Sequence, residues 1–261
     1  NPDAGIYFGN KALILSKKIN WKRGVASAGN KTGLNYWAKS NYPKALEYQM
    51  AALKLSEEIN DKKSVAVILG NIGLVYEGQA DYKKALVYHF DALKLNEELN
   101  EKSAVARNLG NIGNAYDAQG DYNKSLEYYF KALKMYEILG EEIGQARNLG
   151  NIGFAYQEKK EYAKAIVYHN KALSMNRALG NRILEGMNIG NIGATYMSIA
   201  QQNNLSGGKP SVDSLRNEII IPKAEQHLKA SIAIFTEIND KQSLHELYLY
   251  LSQLEEISGR Y

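Results

Sequence analysis

Residues 69–73 read Leu-Gly-Asn-Ile-Gly; the same five return at 109–113 and 149–153, and Ile-Gly-Asn-Ile-Gly stands at 189–193. The interval is 40 residues each time. A fixed period of this size marks one supersecondary unit copied along the chain, each copy burying its apolar side against its neighbours. Outward from the phrase, Gly33, Gly73, Gly113, Gly153 and Gly193 share a column, and Tyr36, Tyr76, Tyr116, Tyr156 and Tyr196 follow three residues on. A second block reads NYPKALEY from Asn41, DYKKALVY from Asp81, DYNKSLEY from Asp121 and EYAKAIVY from Glu161. Ala52, Ala92, Ala132 and Ala172 form a further small-residue column.

Leu69, Ile72 and Tyr76, with small Gly73, recur at helical spacing and fall on one face of a first helix. Ala85, Leu86, His89, Ala92 and Leu93 do the same for a second. Gly73 and Ala85 are the expected points of closest approach, where a larger side chain would force the axes apart. Asp81 and Asp121, with Asn41 and Glu161 in the same column, stand where a polar side chain caps the second helix. Pro43 fits that helix's first turn, where its missing donor costs nothing. Gly140 and Gly180, with Asn20, Asn60, Asn100 and Asn239 in the same place elsewhere, suit a left-handed helix end.

Composition agrees with a folded helical chain: 45% hydrophobic residues, 23% charged and four prolines in 261 residues. The net charge of +4 comes from intermixed residues, 32 basic and 28 acidic, which gives little reason to expect nucleic acid. With no cysteine there is neither a disulfide framework nor a thiolate metal site, and the compartment, cytoplasmic or periplasmic, stays open. No run approaches the roughly 18 to 20 apolar residues of a membrane span, and no signal peptide is visible.

These columns resemble the tetratricopeptide repeat, with its apolar residue and glycine followed by tyrosine, then Gly-Asp-Tyr, then small residues at the helix contacts. The period of 40 exceeds the usual 34 of that repeat. This matches helices about one turn longer, as in kinesin light chain and the Leu-Gly-Asn proteins. The resemblance implies an all-α, right-handed α-α superhelical solenoid over residues 1–261. We expect an orphan second helix over about 4–19 and five helix pairs over about 22–59, 62–99, 102–139, 142–179 and 182–239. An orphan first helix over about 242–258 follows, so that the chain stops in mid-repeat, as part of a longer protein would. The fifth unit carries an insertion of 19 residues over about 201–219. Gln201 to Ser211 read as a mobile loop, residues 212–220 as a short helix or an extension of the next, and Pro222 falls in the column of Pro43. Such an insertion is a tolerated loop, or a partner contact or lid at one end of a groove.

At 100° per residue, Val67, Gly70, Asn71, Leu74 and Gly78 fall opposite the packed side of the first helix. The resemblance assigns these columns to a concave, ligand-contacting groove. Down that face run Lys31, Asn71, Asn111, Asn151 and Asn191. An amide offers donors and an acceptor together and suits the backbone of an extended peptide, or else bonds the adjacent helices. Gly70, Gly110, Gly150 and Gly190 lie beside them, for ligand access or for tight neighbouring helices. Arg107 and Arg147 hold carboxylates bidentately or form a solvated salt-bridge face. Leu34, Leu74, Asn114 and Phe154 vary in the next column, as a specificity surface would.

No HExxH, P-loop or Gly-x-Ser-x-Gly spacing occurs. His89 and His169 lie two repeats apart in a helix-contact column and read as packed, satisfied imidazoles, while His227 and His245 are isolated. The expectation is a non-catalytic scaffold with no cofactor and no metal, binding a protein or peptide, with no nucleic-acid or membrane contact by this segment and with its oligomeric state open. The long-repeat style is similar to tetratricopeptide sensory regions that precede histidine kinases, nucleotide cyclases or transcriptional output domains in bacterial signalling proteins. The alternatives are a stand-alone adaptor and, from another class, an RNA-binding helical repeat.

Overall fold

The computed structural model of the chain describes residues 1–205 and 210–258, with the backbone alone over 203–205 and 210–217. Among the described residues every regular element is a helix: α1 (Pro2–Lys18), α2 (Lys22–Ala38), α3 (Tyr42–Glu58), α4 (Lys62–Gly78), α5 (Tyr82–Glu98), α6 (Lys102–Ala118), α7 (Tyr122–Leu139), α8 (Glu142–Glu158), α9 (Tyr162–Ala178), α10 (Arg182–Leu205), α11 (Pro210–Glu237) and α12 (Lys241–Ser258). They form two compact units, Asn1–Met135 and Tyr136–Tyr261, with α7 crossing the division. In the first unit α2 pairs with α3 and α4 with α5, while the first helices α2, α4 and α6 are neighbours in turn. In the second, α8 pairs with α9 and α10 with α11, and α10 also touches α8 and α12.

The joints explain the period. Helices α2 to α6 are each 17 residues long, and three residues separate one from the next. The middle residue of each three-residue joint, and the first of the two residues between α7 and α8, takes a left-handed conformation: Asn20, Asn60 and Asn100 at φ 54°, Asn239 at 57°, and Gly140 and Gly180 at 67°. Those are the residues the sequence marked. The joints after first helices do the same with less suitable residues, Ser40 (56°), Ala80 (58°) and Lys160 (60°), as well as with Gly120 (77°). The third residue then folds back, Asp81 N donating to Tyr76 O at 2.9 Å and Asp121 N to Tyr116 O at 3.0 Å, which satisfies carbonyls left over at the helix end. Its side chain caps the following helix: Asn41 Oδ1 accepts from Lys44 N at 3.3 Å, and Asp81 and Asp121 accept from Lys84 N and Lys124 N at 3.2 Å. Glu161 corrects the expectation for that column. It makes no side-chain cap; its longer side chain instead meets the ammonium groups of Lys159 at 3.0 Å and Lys164 at 2.6 Å.

Between paired helices, the glycine column is filled by a large side chain from the partner. A Cβ on Gly113 would stand 2.5 Å from Tyr129 Cδ1, one on Gly153 2.7 Å from His169 Cε1, and one on Gly193 2.9 Å from Leu228 Cγ. Gly73 lies closer still to the His89 ring. Gln49, His89 and His169 are completely buried in these notches and Tyr129 nearly so. Towards the helix ends the tyrosines stack in pairs, Tyr36 on Tyr48 and Tyr76 on Tyr88 at 5.4 Å, Tyr116 on Tyr128 at 5.6 Å and Tyr156 on Tyr168 at 5.5 Å. Lys44, Lys84, Lys124 and Lys164 cover the first ring of each pair with their ammonium groups 4.9–5.5 Å from the centroid.

The insertion differs from the expected loop. Helix α10 runs on to Leu205 and α11 begins at Pro210, so the Gln201–Ser211 segment is helical at both ends, while 206–209 lie outside the described residues. Residues 212–220 lengthen α11, and Pro222 stands inside that helix rather than in its first turn. Lacking an N–H, it leaves the carbonyl four residues earlier without its helical donor.

Two outcomes follow from this packing. Ala80→Gly and Lys160→Gly relieve a left-handed conformation and are expected to raise stability by about 0.5–1 kcal/mol each, whereas Asn100→Gly changes it little; urea unfolding midpoints at unchanged slope measure this. Gly113→Ala forces the Tyr129 ring out of its notch and is expected to lower stability by about 1–3 kcal/mol, read in the same titration.

Candidate peptide-binding face

The turns of the first helices opposite the glycine notches carry the residues expected to meet a ligand. In the first unit, Lys31 and Arg107 are exposed, and Leu34, Asn71, Leu74, Asn111 and Asn114 are half-buried. In the second, Arg147 and Phe154 are exposed, and Asn151 and Asn191 half-buried. The amides are not idle. Asn71 Nδ2 donates to Asn30 Oδ1 on the preceding first helix at 2.8 Å, and Asn114 Oδ1 accepts from the buried Tyr129 hydroxyl at 2.9 Å. Trp37 Nε1 donates to Leu74 O at 3.1 Å and ties α2 to α4. The amide row therefore joins helices where the bonds can be traced, and also presents a half-open surface.

The glycines beside the row are a correction. Gly70 and Gly190 are buried and do not lie on the open face. A Cβ on Gly70 would be 3.5 Å from Asn108 Oδ1 and 3.9 Å from Ala92 Cβ, and one on Gly190 3.0 Å from Ser231 Oγ and 3.1 Å from Leu247 Cδ2. Gly150 likewise faces Asn188 Oδ1 at 3.4 Å. Of the two readings of this column, tight neighbouring helices is the one observed. Gly78 is exposed, yet a Cβ there would stand 2.5 Å from the Tyr42 ring.

The structure reveals a second asparagine column. Asn108, Asn148 and Asn188 are buried, and the amides of the last two donate to the carbonyls four residues earlier, Gly144 O at 2.9 Å and Leu184 O at 2.7 Å. The 40-residue register aligns all three, which was the available signal. One repeat earlier in that register stands Ile68, fully buried, so the column tolerates an apolar residue. In the leucine column, Gly29 replaces Leu69 and its equivalents. A cavity of about 550 Å³ opens there between α1, α2 and α3, lined by Leu13, Tyr48, Ala52 and Leu55 among others.

The buried histidines divide. His89 Nε2 lies 2.9 Å from Glu77 Oε1 on the first helix of its own pair. The position equivalent to Glu77 beside His169 holds Gln157, whose Oε1 accepts instead from Thr195 Oγ1 at 2.7 Å. Neither ring nitrogen of His169 reaches a hydrogen-bond partner of good geometry among the described residues, contrary to the expectation of a satisfied imidazole. Burial pushes its pKa down to about 4, which the nearby Asn188 amide only partly opposes. Burial also raises the Tyr129 hydroxyl far above the ordinary tyrosine range, reinforced by the charges of Asp117 and Glu77. Among the described residues there is no group of three or more histidine, cysteine or acidic side chains that could hold a metal, and no helix long and apolar enough to cross a membrane.

Models of the tetratricopeptide repeat match residues 25–98, 106–137 and 146–179, more than half of the chain. The chain belongs to the tetratricopeptide repeat family. Repeats of this family are used for protein–protein interaction. No curated protein matches the sequence. Solved tetratricopeptide repeat structures are similar to it. BtubC (BKLC) from P. vanneervenii superposes with TM-score 0.73 at 17% identity over 92% of this chain and 93% of that one. A signal transduction ATPase with numerous domains, with a tetratricopeptide repeat sensor, from Pyrococcus horikoshii superposes with TM-score 0.73 at 19% identity over 100% of this chain and 40% of that one. A Rap protein complexed with Competence and Sporulation Factor gives TM-score 0.65 at 13% identity over 100% and 72%. At these identities the likeness is one of fold.

Burial of His169 is expected to make the second unit acid-sensitive. Its depressed pKa means the folded state excludes a proton that the unfolded chain binds below about 6.5. Its contribution is therefore complete above that pH and falls as pH drops from 6.5 to about 4, by about 3 kcal/mol. His169→Gln, the residue type that Gln49 supplies in the same column, is expected to flatten this part of the stability–pH curve measured by urea unfolding.

Proposed function

We propose that the chain is a non-catalytic interaction module that holds a peptide or partner segment against the open face of its first helices, and that it serves as the regulatory or sensory part of a longer bacterial signalling protein. The observation that carries this reading is the division of labour within the repeat. Glycine, tyrosine, small and buried asparagine columns are consumed in packing. Arg107 and Asn111 on α6 of the first unit, and Arg147, Asn151 and Phe154 on α8 of the second, stay at or near the surface on successive turns of their own helices. An amide row beside guanidinium groups fits a peptide backbone with a carboxylate-bearing side chain. The Rap protein, similar in fold, is complexed with a factor, and the Pyrococcus horikoshii protein carries its repeat as a sensor, which supports a regulatory placement. Near-balanced charge, 32 basic against 28 acidic residues, argues against RNA.

Peptides selected on the intact chain from a displayed random library provide the test. Asn111→Ala combined with Asn151→Ala is expected to weaken their binding by more than about tenfold, with the melting temperature within a few degrees of the parent. Equal loss of stability and binding makes the row structural. Charge reversal at Arg107 and Arg147 is expected to weaken acidic peptides selectively, and unchanged affinity removes the arginines from the site.

A further inference from the structure

The two units do not present the same chemistry on this face. Advancing along α8, Ile143, Arg147, Asn151 and Phe154 fall within one quarter of the helix circumference, and on α10 Ile183, Met187, Asn191 and Ala194 do the same. The two helices are direct neighbours within the second unit. Four of these side chains are large, apolar and open to solvent: Ile143 is 59% exposed, Ile183 54%, Met187 48% and Phe154 41%. In the first unit the columns of the two isoleucines hold Arg23, Lys63 and Ser103, all exposed and polar. Val67, 39% exposed, is the first unit's apolar residue in the column of Arg147 and Met187. The α8–α10 face is therefore an apolar patch in columns where the first unit is mostly polar.

Such exposure is unfavourable for an isolated surface, and contiguous apolar patches rimmed by polar groups mark interaction sites. One further feature states what fits there. Arg147 projects from the middle of the α8 stripe, between Ile143 and Phe154, and makes no ion pair among the described residues, whereas Arg177 and Arg182 of the same unit hold Glu185 at 2.9 and 2.8 Å. A guanidinium flanked by hydrocarbon attracts a carboxylate more strongly than one in open water, because the local dielectric is lower.

We propose that the α8–α10 face of the second unit docks a protein segment carrying large apolar side chains next to an aspartate or glutamate. The apolar side chains cover Ile143, Ile183 and Met187, the last of these an adaptable surface, and the acid pairs with Arg147. The peptide backbone passes the half-buried amides of Asn151 and Asn191. This inference rests on the interaction-module reading and adds the class of partner and its place on the chain.

Short synthetic fluorescent peptides, alternating leucine or phenylalanine with glutamate, are titrated against the intact chain beside counterparts with lysine for glutamate and with serine for the apolar residues. Anisotropy is expected to show the acidic-apolar peptides binding roughly tenfold or more tighter than either counterpart. Ile183→Ser with Met187→Ser is expected to remove that binding at unchanged melting temperature, and Arg147→Glu to transfer the preference to the lysine peptides. These side chains are exposed, so their replacement leaves the core intact. Equal affinity for acidic and basic peptides overturns the proposal, as does binding indifferent to these substitutions. If in the second case Asn111→Ala with Asn151→Ala still abolishes binding, the interaction-module reading stands and only the docking face falls. No binding by any peptide from this set or from the displayed library overturns both. Association with anionic lipid vesicles through Ile183 and Met187, without peptide binding, assigns the patch to a membrane and overturns the proposal as well.

Discussion

Everything in the repeat depends on the notch that glycine makes in the first helix of each pair. With no Cβ at Gly73, Gly113 or Gly153, the second helix seats an entire imidazole or phenol ring where an alanine methyl would already collide. Mid-helix glycine costs about 1 kcal/mol against alanine. The burial of a large side chain against a flat backbone offsets it. Because the ring occupies the notch completely, the two helices have one register and one separation, and neighbouring pairs inherit both. The identity of the filling side chain is free within limits, as Gln49, His89, Tyr129, His169 and Leu228 show, provided that it fills the space.

That freedom carries a condition for polar occupants. His89 is buried with Glu77 to bond it, and Tyr129 with Asn114. His169 has no equivalent acid, because that position holds Gln157, which accepts from Thr195, and burial keeps the imidazole neutral in a closed notch. One substitution outside the notch thus changes the electrostatics inside it. The joints show the same economy of means. A left-handed residue, a backbone bond to the last turn and a polar cap fit in three residues, and this fixes the spacing that makes the sequence periodic.

Once packing has claimed its columns, what is left for function is narrow: a strip on each first helix about a quarter of its circumference wide. Within the strip the first unit carries Lys31, Arg107 and amides, and the second carries Ile143, Phe154, Ile183 and Met187 around Arg147. The framework is common to both units while the strip differs between them, as expected when the framework residues are bound by contacts and the strip residues by whatever they meet.

The sequence by itself determined the 40-residue period and the joints that set it. These depend on contacts between residues at fixed separations, and a repeated contact leaves a repeated letter, as Gly73 and Tyr76, Asp81 and Asn100 do. It also put Lys31, Asn71, Arg107, Asn111, Arg147 and Phe154 opposite the packed face, where they lie at or near the surface, but not Ile143, Ile183 or Met187. It misplaced Gly70, and passed over Asn108 and its equivalents, because a first helix packs on two sides, against its own partner and against the next repeat, and a single apolar stripe reveals only one. The insertion was legible as an interruption of period, and 212–220 as an extension of the next helix, but the edges of Gln201–Ser211 were not legible as helix, since glycine, proline and asparagine there carry turn signals that the neighbouring helices α10 and α11 override. Only the tertiary structure decided which polar groups are paired: Asn71 with Asn30, Glu77 with His89, and Gln157 with Thr195 rather than with His169. Pairing depends on side chains from different turns and different helices meeting within hydrogen-bond distance, and no spacing along the chain encodes that.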